Sequence, residues 1–303
     1  MKHFFILGTI AIIFSSTADL SFAQTNSLNV QMRQYEDSLR ILSDSLIDGK
    51  TAEKRLHAGF DFIKMLVQSL NQSESFQYSF DSLKRISILY PDDRHFRIFC
   101  WALPLTERTY RYYGVIQMND KNKTVLFPFF DYSEHIQQPS DTITSAQKWY
   151  GALYYKMVKV KSGSKTYYTL FGWNQNTLKS KKKLIEILWF DENGSPQFGA
   201  PVFQFSKNEY PAVAKRFIIE YKNDAKVSLN YDEDHHIIIF DHLVPENHGE
   251  EGIHEKYVPD GSYEGFEWKN GKWRYVENVF TATQQQVPYP KPLDFEEPKK
   301  DKF

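Results

Sequence analysis

The stretch DEDHHIIIFDH, Asp232 to His242, sets acids and imidazoles at both ends of a four-residue apolar run. Five of the nine histidines fall between His235 and His254, among Glu246, Glu250, Glu251 and Glu255. Neutral imidazole and carboxylate are good ligands for zinc or another divalent cation. Asp232, Asp234, His236, His242, His248 and His254 are therefore the candidate metal ligands, and the chemistry they would support is metal-dependent hydrolysis. Read as one strand, the segment places Asp232, Asp234, His236 and His242 on a single face. His236 and His242 then stand about 20 Å apart at roughly 3.3 Å per residue, too far for one ion. A site needs Asp232, Asp234 and His236 gathered at one end, or His242, His248 and His254 folded back by the loop carrying Pro245, Gly249 and Gly252. There is no HExxH and no calcium-loop pattern here. The competing reading needs no cofactor: a buried strand with wet ends.

A second group of chemistry-bearing residues is aromatic. If Asn270-Gly271 forms a two-residue type I′ turn, Lys269 faces Lys272, Trp268 faces Trp273, Glu267 faces Arg274 and Phe266 faces Tyr275. Period two then puts Phe266, Trp268, Trp273 and Tyr275 on one side of the hairpin. Exposed, that ladder is a ligand-binding platform for sugars or peptides; turned inward, it is core. Glu264 and Glu267 flank the same aromatics, but their odd spacing points them to opposite faces, against a glycosidase pair. GxSxG, GxGxxG and P-loop patterns are absent. Ser162-Gly163-Ser164-Lys165 matches a lone SxxK and reads better as a turn. Cys100, the single cysteine, sits in the apolar context IFCWAL and reads as a core side chain.

Charge is balanced overall, with 37 Lys+Arg against 38 Asp+Glu, so no global field draws nucleic acid or a membrane surface. Locally it is segregated. Lys148 to Lys183 holds nine lysines and no acid, while Tyr231 to Glu267 holds eleven acids and only Lys256. These blocks pair across the fold, face different partners, or solvate two surfaces of one domain.

The elements that would position these residues begin with an export signal. Lys2 and His3 precede the apolar run Phe4 to Phe14, and Ser21-Phe22-Ala23 offers a small-residue cut near Ala23/Gln24. The expectation is a periplasmic or secreted protein whose mature chain has no transmembrane segment and no internal disulfide. Residues 1–23 are read as signal peptide and 24–78 as a helical hairpin. Leu28, Met32, Tyr35, Leu39, Leu42 and Leu46 form one stripe; Leu56, Phe60, Ile63, Val67 and Leu70 form the next, with Gly49 as the cap between them. Phe80 to Leu89 is expected to add a short third helix, ended by Pro91.

From 79 to 280 the pattern is β. Aromatic and branched runs alternate with Asn119-Asp120, Ser162-Gly163-Ser164, Asn193-Gly194, Asn223-Asp224 and Asn270-Gly271. Connections this short imply a mainly antiparallel meander. Barrel, sandwich and propeller-like closure share these signals. Residues 281–303, with four prolines, read as a Pro-rich disordered tail. The fold class is thus α+β: an N-terminal helical hairpin followed by a large antiparallel β domain.

The stretches ISILYPDDRHFRIFCW, RYYGVIQ and PDGSYEGFEWKNGKWRYVENV resemble uncharacterised exported proteins of the Bacteroidetes type. That resemblance spans roughly Phe80 to Val279 and implies no particular activity or site. The function expected from the sequence is a non-catalytic binding or scaffold module. Its partner would be an envelope protein or a glycan, and nucleic acid is not expected. The alternative is a metal-dependent hydrolase built on residues 232–255.

Overall fold

The computed structural model describes residues 17–106, 109–206 and 212–280, with side chains from residue 29 onward. The expected apolar signal segment and the tail at 281–303 lie outside the described residues. The chain divides into two compact units: one of residues 1–135 and 145–155, the other of residues 136–144 and 156–303.

The first unit carries the helical hairpin, α1 (Thr17–Asp48) and α2 (Ala52–Leu70). α1 runs through the expected cut at Ala23/Gln24 and buries Met32, Leu39 and Leu46, as its spacing requires. Thr51 caps α2, its hydroxyl accepting the Lys54 N–H at 3.2 Å. Gly49 ends α1 without adopting a left-handed conformation. Its carbonyl accepts from Arg55, which also reaches the Pro104 and Leu105 carbonyls. The α2 stripe differs from the expected one. The buried face is Ala58, Gly59, Phe62, Leu66, Ser69 and Leu70, leaving Phe60 and Val67 63% and 41% exposed. Both stripes have helical spacing; the small pair Ala58-Gly59 decides between them. A Cβ on Gly59 would sit 2.5 Å from Leu103 Cδ1, so the helix approaches its neighbour through this residue.

Four strands complete this unit: β1 (Ser87–Leu89), β2 (Phe96–Pro104), β3 (Tyr110–Met118) and β4 (Leu126–Phe130), antiparallel in that order. The third helix expected over Phe80–Leu89 is absent. Phe80, Leu83 and Ile86 are buried, but successive three-residue turns carry them, Leu83 N–H to the Phe80 carbonyl and Ile86 N–H to the Leu83 carbonyl. Ser87–Leu89 then pairs with β2. A period of three satisfies turn and helix alike, and the strand partner takes the rest. Trp101, Phe99 and Val115 meet the hairpin in one core.

The remaining strands are β5 (Thr144–Ser145) and β6 (Leu153–Ser162), whose residues are divided between the two units, and, in the second unit, β7 (Lys165–Asn174), β8 (Ser180–Phe190), β9 (Pro196–Phe198), β10 (Phe203–Gln204), β11 (Val213–Ala214), β12 (Arg216–Lys222), β13 (Leu229–Asp232), β14 (Ile237–Pro245), β15 (Tyr257–Lys269) and β16 (Lys272–Val276). One sheet runs β11-β10-β16-β15-β14-β13; the other centres on β8, which pairs with β7 on one edge and with β12 and β9 along the opposite edge. β8 pairs antiparallel with β7, β9 and β12, and β13 to β16 pair antiparallel in sequence, while β10 joins β16 in parallel. The sheets bury Phe171, Ile185, Phe217, Ile219, Phe240, Phe266 and Trp273 between them. This is sandwich packing, and no closed barrel is found among the described residues. Arg216 and Glu186, both fully buried and paired across β12 and β8, lie within this unit. No helix among the described residues is long and apolar enough to cross a membrane.

Candidate functional site

The segment 232–242 is not one strand. β13 stops at Asp232, Glu233–His236 turn the chain, and β14 pairs back with Tyr231 opposite Ile238. Asp232 drives the turn: one carboxylate oxygen accepts the N–H groups of Asp234 and His235, and the other meets His235 Nδ1 at 2.8 Å. Partial burial opposes ionisation of Asp232, but these hydrogen bonds outweigh it and hold the carboxyl below its usual range. His236 takes a left-handed φ of 55° beside Tyr231. His248 lies in the loop of Gly249 and Gly252, and His254 packs on the Tyr257 ring at 4.8 Å. Among the described residues no three His, Cys, Asp or Glu side chains gather to hold a metal ion. Asp232, Asp234, His236, His242, His248 and His254 are therefore not brought together, because the turn and the glycine loop separate them.

His242 finds partners that spacing did not indicate. Between Asp241↔Tyr263 and Leu243↔Pro259 the register slips, leaving Asp260, Gly261 and Ser262 as a bulge opposite His242. Gly261 takes φ 90° there. The bulge turns Asp260 onto His242 Nδ1 at 2.9 Å, while His242 Nε2 lies 3.9 Å from Glu264. Partial burial works against ionisation of Asp260; the Ser262 N–H and hydroxyl and His242 overcome it and hold the carboxyl at about 2. Glu264 is buried and accepts the Tyr275 hydroxyl. Beside them, burial pushes Asp241 up and Lys183 down, each charge partly restoring the other. The arrangement is an oriented imidazole between two carboxylates, and those are the partners of His242 among the described residues.

The hairpin ladder has the expected register and the opposite exposure to a platform. Asn270 and Gly271 both take positive φ, and Trp268↔Trp273 and Phe266↔Tyr275 face each other. Phe266, Trp273 and Tyr275 are buried. Phe266 lies among Phe203, Phe205, Phe217 and Phe240 at centroid distances of 5.0–5.5 Å. Trp273 donates to the Thr169 hydroxyl at 3.1 Å, and half-buried Trp268 donates to the Lys161 carbonyl. The ladder is core because the facing sheet covers it.

The two charge blocks meet within the second unit: Lys156 pairs with Glu233 at 3.0 Å and Lys179 with Glu255 at 3.1 Å. Cys100 is fully buried, and burial pushes its thiol up to about 12.

Two of the aromatic side chains that face outward lie elsewhere, at the end of β4. Phe130 is 53% exposed and Tyr132 40%. The segment stays extended because Trp149 N–H donates to the Phe130 carbonyl at 3.0 Å and Tyr132 N–H to the Trp149 carbonyl at 2.8 Å. Period two points Phe129 inward onto Trp149, at 5.0 Å, and Phe130 outward. Asp131 is spent on the fold: its carboxylate accepts Ser133 N–H, Ser133 hydroxyl and Tyr112 N–H. A Cβ on Gly151 would lie 2.3 Å from that carboxylate, so only glycine fits opposite it. The turn Ser133–His135 then lays His135 against Tyr132, centroids 4.5 Å apart. Lys148 Nζ stands 6.0 Å from the Tyr132 ring. In the sequence, Phe130 ends one of the aromatic runs of the β region, TVLFPFF, with nothing to mark which ring faces out.

Comparison of the chain with protein-family models, with curated proteins and with solved structures finds no match.

Proposed function

We propose that this chain is an exported, periplasmic or secreted, binding or scaffold protein, and that its contact surface is the aromatic end of β4. The observation that carries the reading is the joint exposure of Phe130 and Tyr132, with His135 against the Tyr132 ring and Lys148 near it. Exposed hydrophobic residues that lie together are a recurring feature of contact surfaces, and tyrosine is among the residues that carry binding energy there. The apolar run Phe4 to Phe14 followed by Ser21-Phe22-Ala23 supports export, and the resemblance to exported Bacteroidetes-type proteins agrees with it. The partner is then an envelope protein or an envelope glycan, with no role for nucleic acid. The test is sedimentation of the purified mature protein with a whole cell-envelope fraction. Tyr132→Ala and Phe130→Ala should each reduce the bound fraction without lowering the melting temperature. Unchanged binding in both variants refutes this surface.

A second reading, a metal-dependent hydrolase using zinc or another divalent cation, draws on the Asp260–His242 contact. A carboxylate fixing one imidazole nitrogen is the usual support of a metal-binding histidine. Metal content of protein purified without chelator or affinity tag tests it. Stoichiometric metal that is lost in His242→Ala favours this reading, and a metal-free protein removes it.

A further inference from the structure

Resting on the binding reading above, we propose that the end of β4 recognises an acidic saccharide, with one sugar ring stacked on Tyr132 and its carboxylate directed to Lys148. Three groups here keep their polar capacity. Among the described residues, the Tyr132 hydroxyl, the His135 ring nitrogens and the Lys148 ammonium make no hydrogen bond or ion pair; their side-chain contacts are the tilted ring pair at 4.5 Å and the Lys148 approach at 6.0 Å. Lys148 belongs to the acid-free block, yet other lysines of that block, Lys156 and Lys179, reach carboxylates of the acidic one. Its charge is left for a ligand.

The chemistry of the group narrows the ligand. Two outward aromatic rings, Phe130 and Tyr132, offer apolar planes, and a pyranose presents a matching face of C–H groups. Around those planes stand a phenol that donates and accepts, an imidazole that does either, and an ammonium that only donates. A ligand with an apolar face and a hydroxylated rim satisfies all of them. A purely apolar peptide side chain would leave these polar groups without partners. The ammonium adds selection for a carboxylate on the ring. Glu134, exposed beside His135, sets the opposing charge: it weakens an acidic ligand and should be the residue whose neutralisation strengthens binding. Asp131 does not contribute, because Ser133 and Tyr112 already occupy its carboxylate.

Affinity electrophoresis of the full mature chain in gels containing polygalacturonate, or a neutral glucan of similar length, tests this directly. The expected result is retardation by polygalacturonate alone. Tyr132→Ala should weaken it about tenfold, the scale of one lost aromatic stack with its buried area. Lys148→Gln should weaken it by a similar factor and remove most of its salt dependence, while Glu134→Gln strengthens it. Equal retardation by the neutral glucan overturns the acidic part, and polygalacturonate retardation unchanged in Tyr132→Ala overturns the site. If neither polymer retards the protein while envelope binding still depends on Tyr132, the partner is another envelope component and this inference alone fails. If envelope binding is itself indifferent to Tyr132, the underlying surface is wrong.

Discussion

Phe266→Ala separates the two uses of the β15–β16 ladder most sharply. Phe266 is fully buried and lies within ring-contact distance of Phe203, Phe205, Phe217, Phe240 and Tyr275, residues contributed by both sheets of the second unit and the segment between them. Truncation removes the transfer free energy of a benzyl group and leaves a cavity that five rings held in two sheets cannot close by relaxing. The cost is about 3–5 kcal/mol, a large share of the ~5–15 kcal/mol that holds an ordinary domain together. Trp268→Ala on the same face serves as the internal comparison. Half-buried, with an indole N–H on the Lys161 carbonyl, it should cost about 1–2 kcal/mol. Urea unfolding followed by hydrogen exchange in peptides from β14 to β16 reads the second unit alone, so the first unit does not blur the transition. A loss below about 1 kcal/mol for Phe266→Ala, or a larger one for Trp268→Ala, refutes the placement of this ladder in the core.

Three further outcomes follow from buried or held charges. Glu186→Gln should destabilise the second unit by about 3–5 kcal/mol, because it leaves fully buried Arg216 without its anion; a Glu186→Leu/Arg216→Met double variant that recovers most of that loss would locate the cost in the unpaired charge. Asp260, held at about 2, contributes stability that is present above the ordinary aspartate range near 3.9 and disappears as pH falls toward 2. Acid titration of the melting temperature should therefore be shallower below about pH 4 in Asp260→Asn than in the parent, with the effect kept small by the exposure of the pair. The Cys100 thiol, pushed up to about 12 by burial, should not react with a disulfide reagent at pH 8 in the native protein and should react completely in urea; native labelling on the timescale of mixing contradicts its burial.

How much of this was legible in the sequence depended on whether the deciding interaction was local. The β15–β16 register could be written down residue by residue because Asn270-Gly271 demands one turn and a two-residue turn fixes every pair beyond it. The α1 stripe was legible for the same reason, since one helix supplies its own period. The α2 face was not: its periodicity allowed two neighbouring stripes, and the choice fell to a contact with Leu103, more than thirty residues further on, whose Cδ1 packs close against Gly59. Phe80–Leu89 failed in the same way, its three-residue spacing satisfied by turns once β2 offered Ser87–Leu89 a partner. The Asp260–His242 contact depends on a bulge, and a bulge breaks the period-two rule from which strand faces are inferred.

The residues that looked most reactive and those left open to a partner are different sets, and one physical cause accounts for both. A dense mixture of acids, histidines and lysines in a folded chain minimises its free energy by pairing with itself. Asp232 takes His235, Asp260 takes His242, and Lys156 and Lys179 take Glu233 and Glu255. Each pairing lowers the potential that the cluster can offer to a ligand. At the end of β4 the composition is sparser, so Lys148 and His135 have no such partner among the described residues, and the parity that buries Phe129 turns Phe130 outward. Ligand density along the sequence therefore ranks these segments in the wrong order for binding. Capacity remaining after the fold has taken its share ranks the end of β4 first, and Tyr132 is the residue whose removal should be felt by a partner and not by the fold.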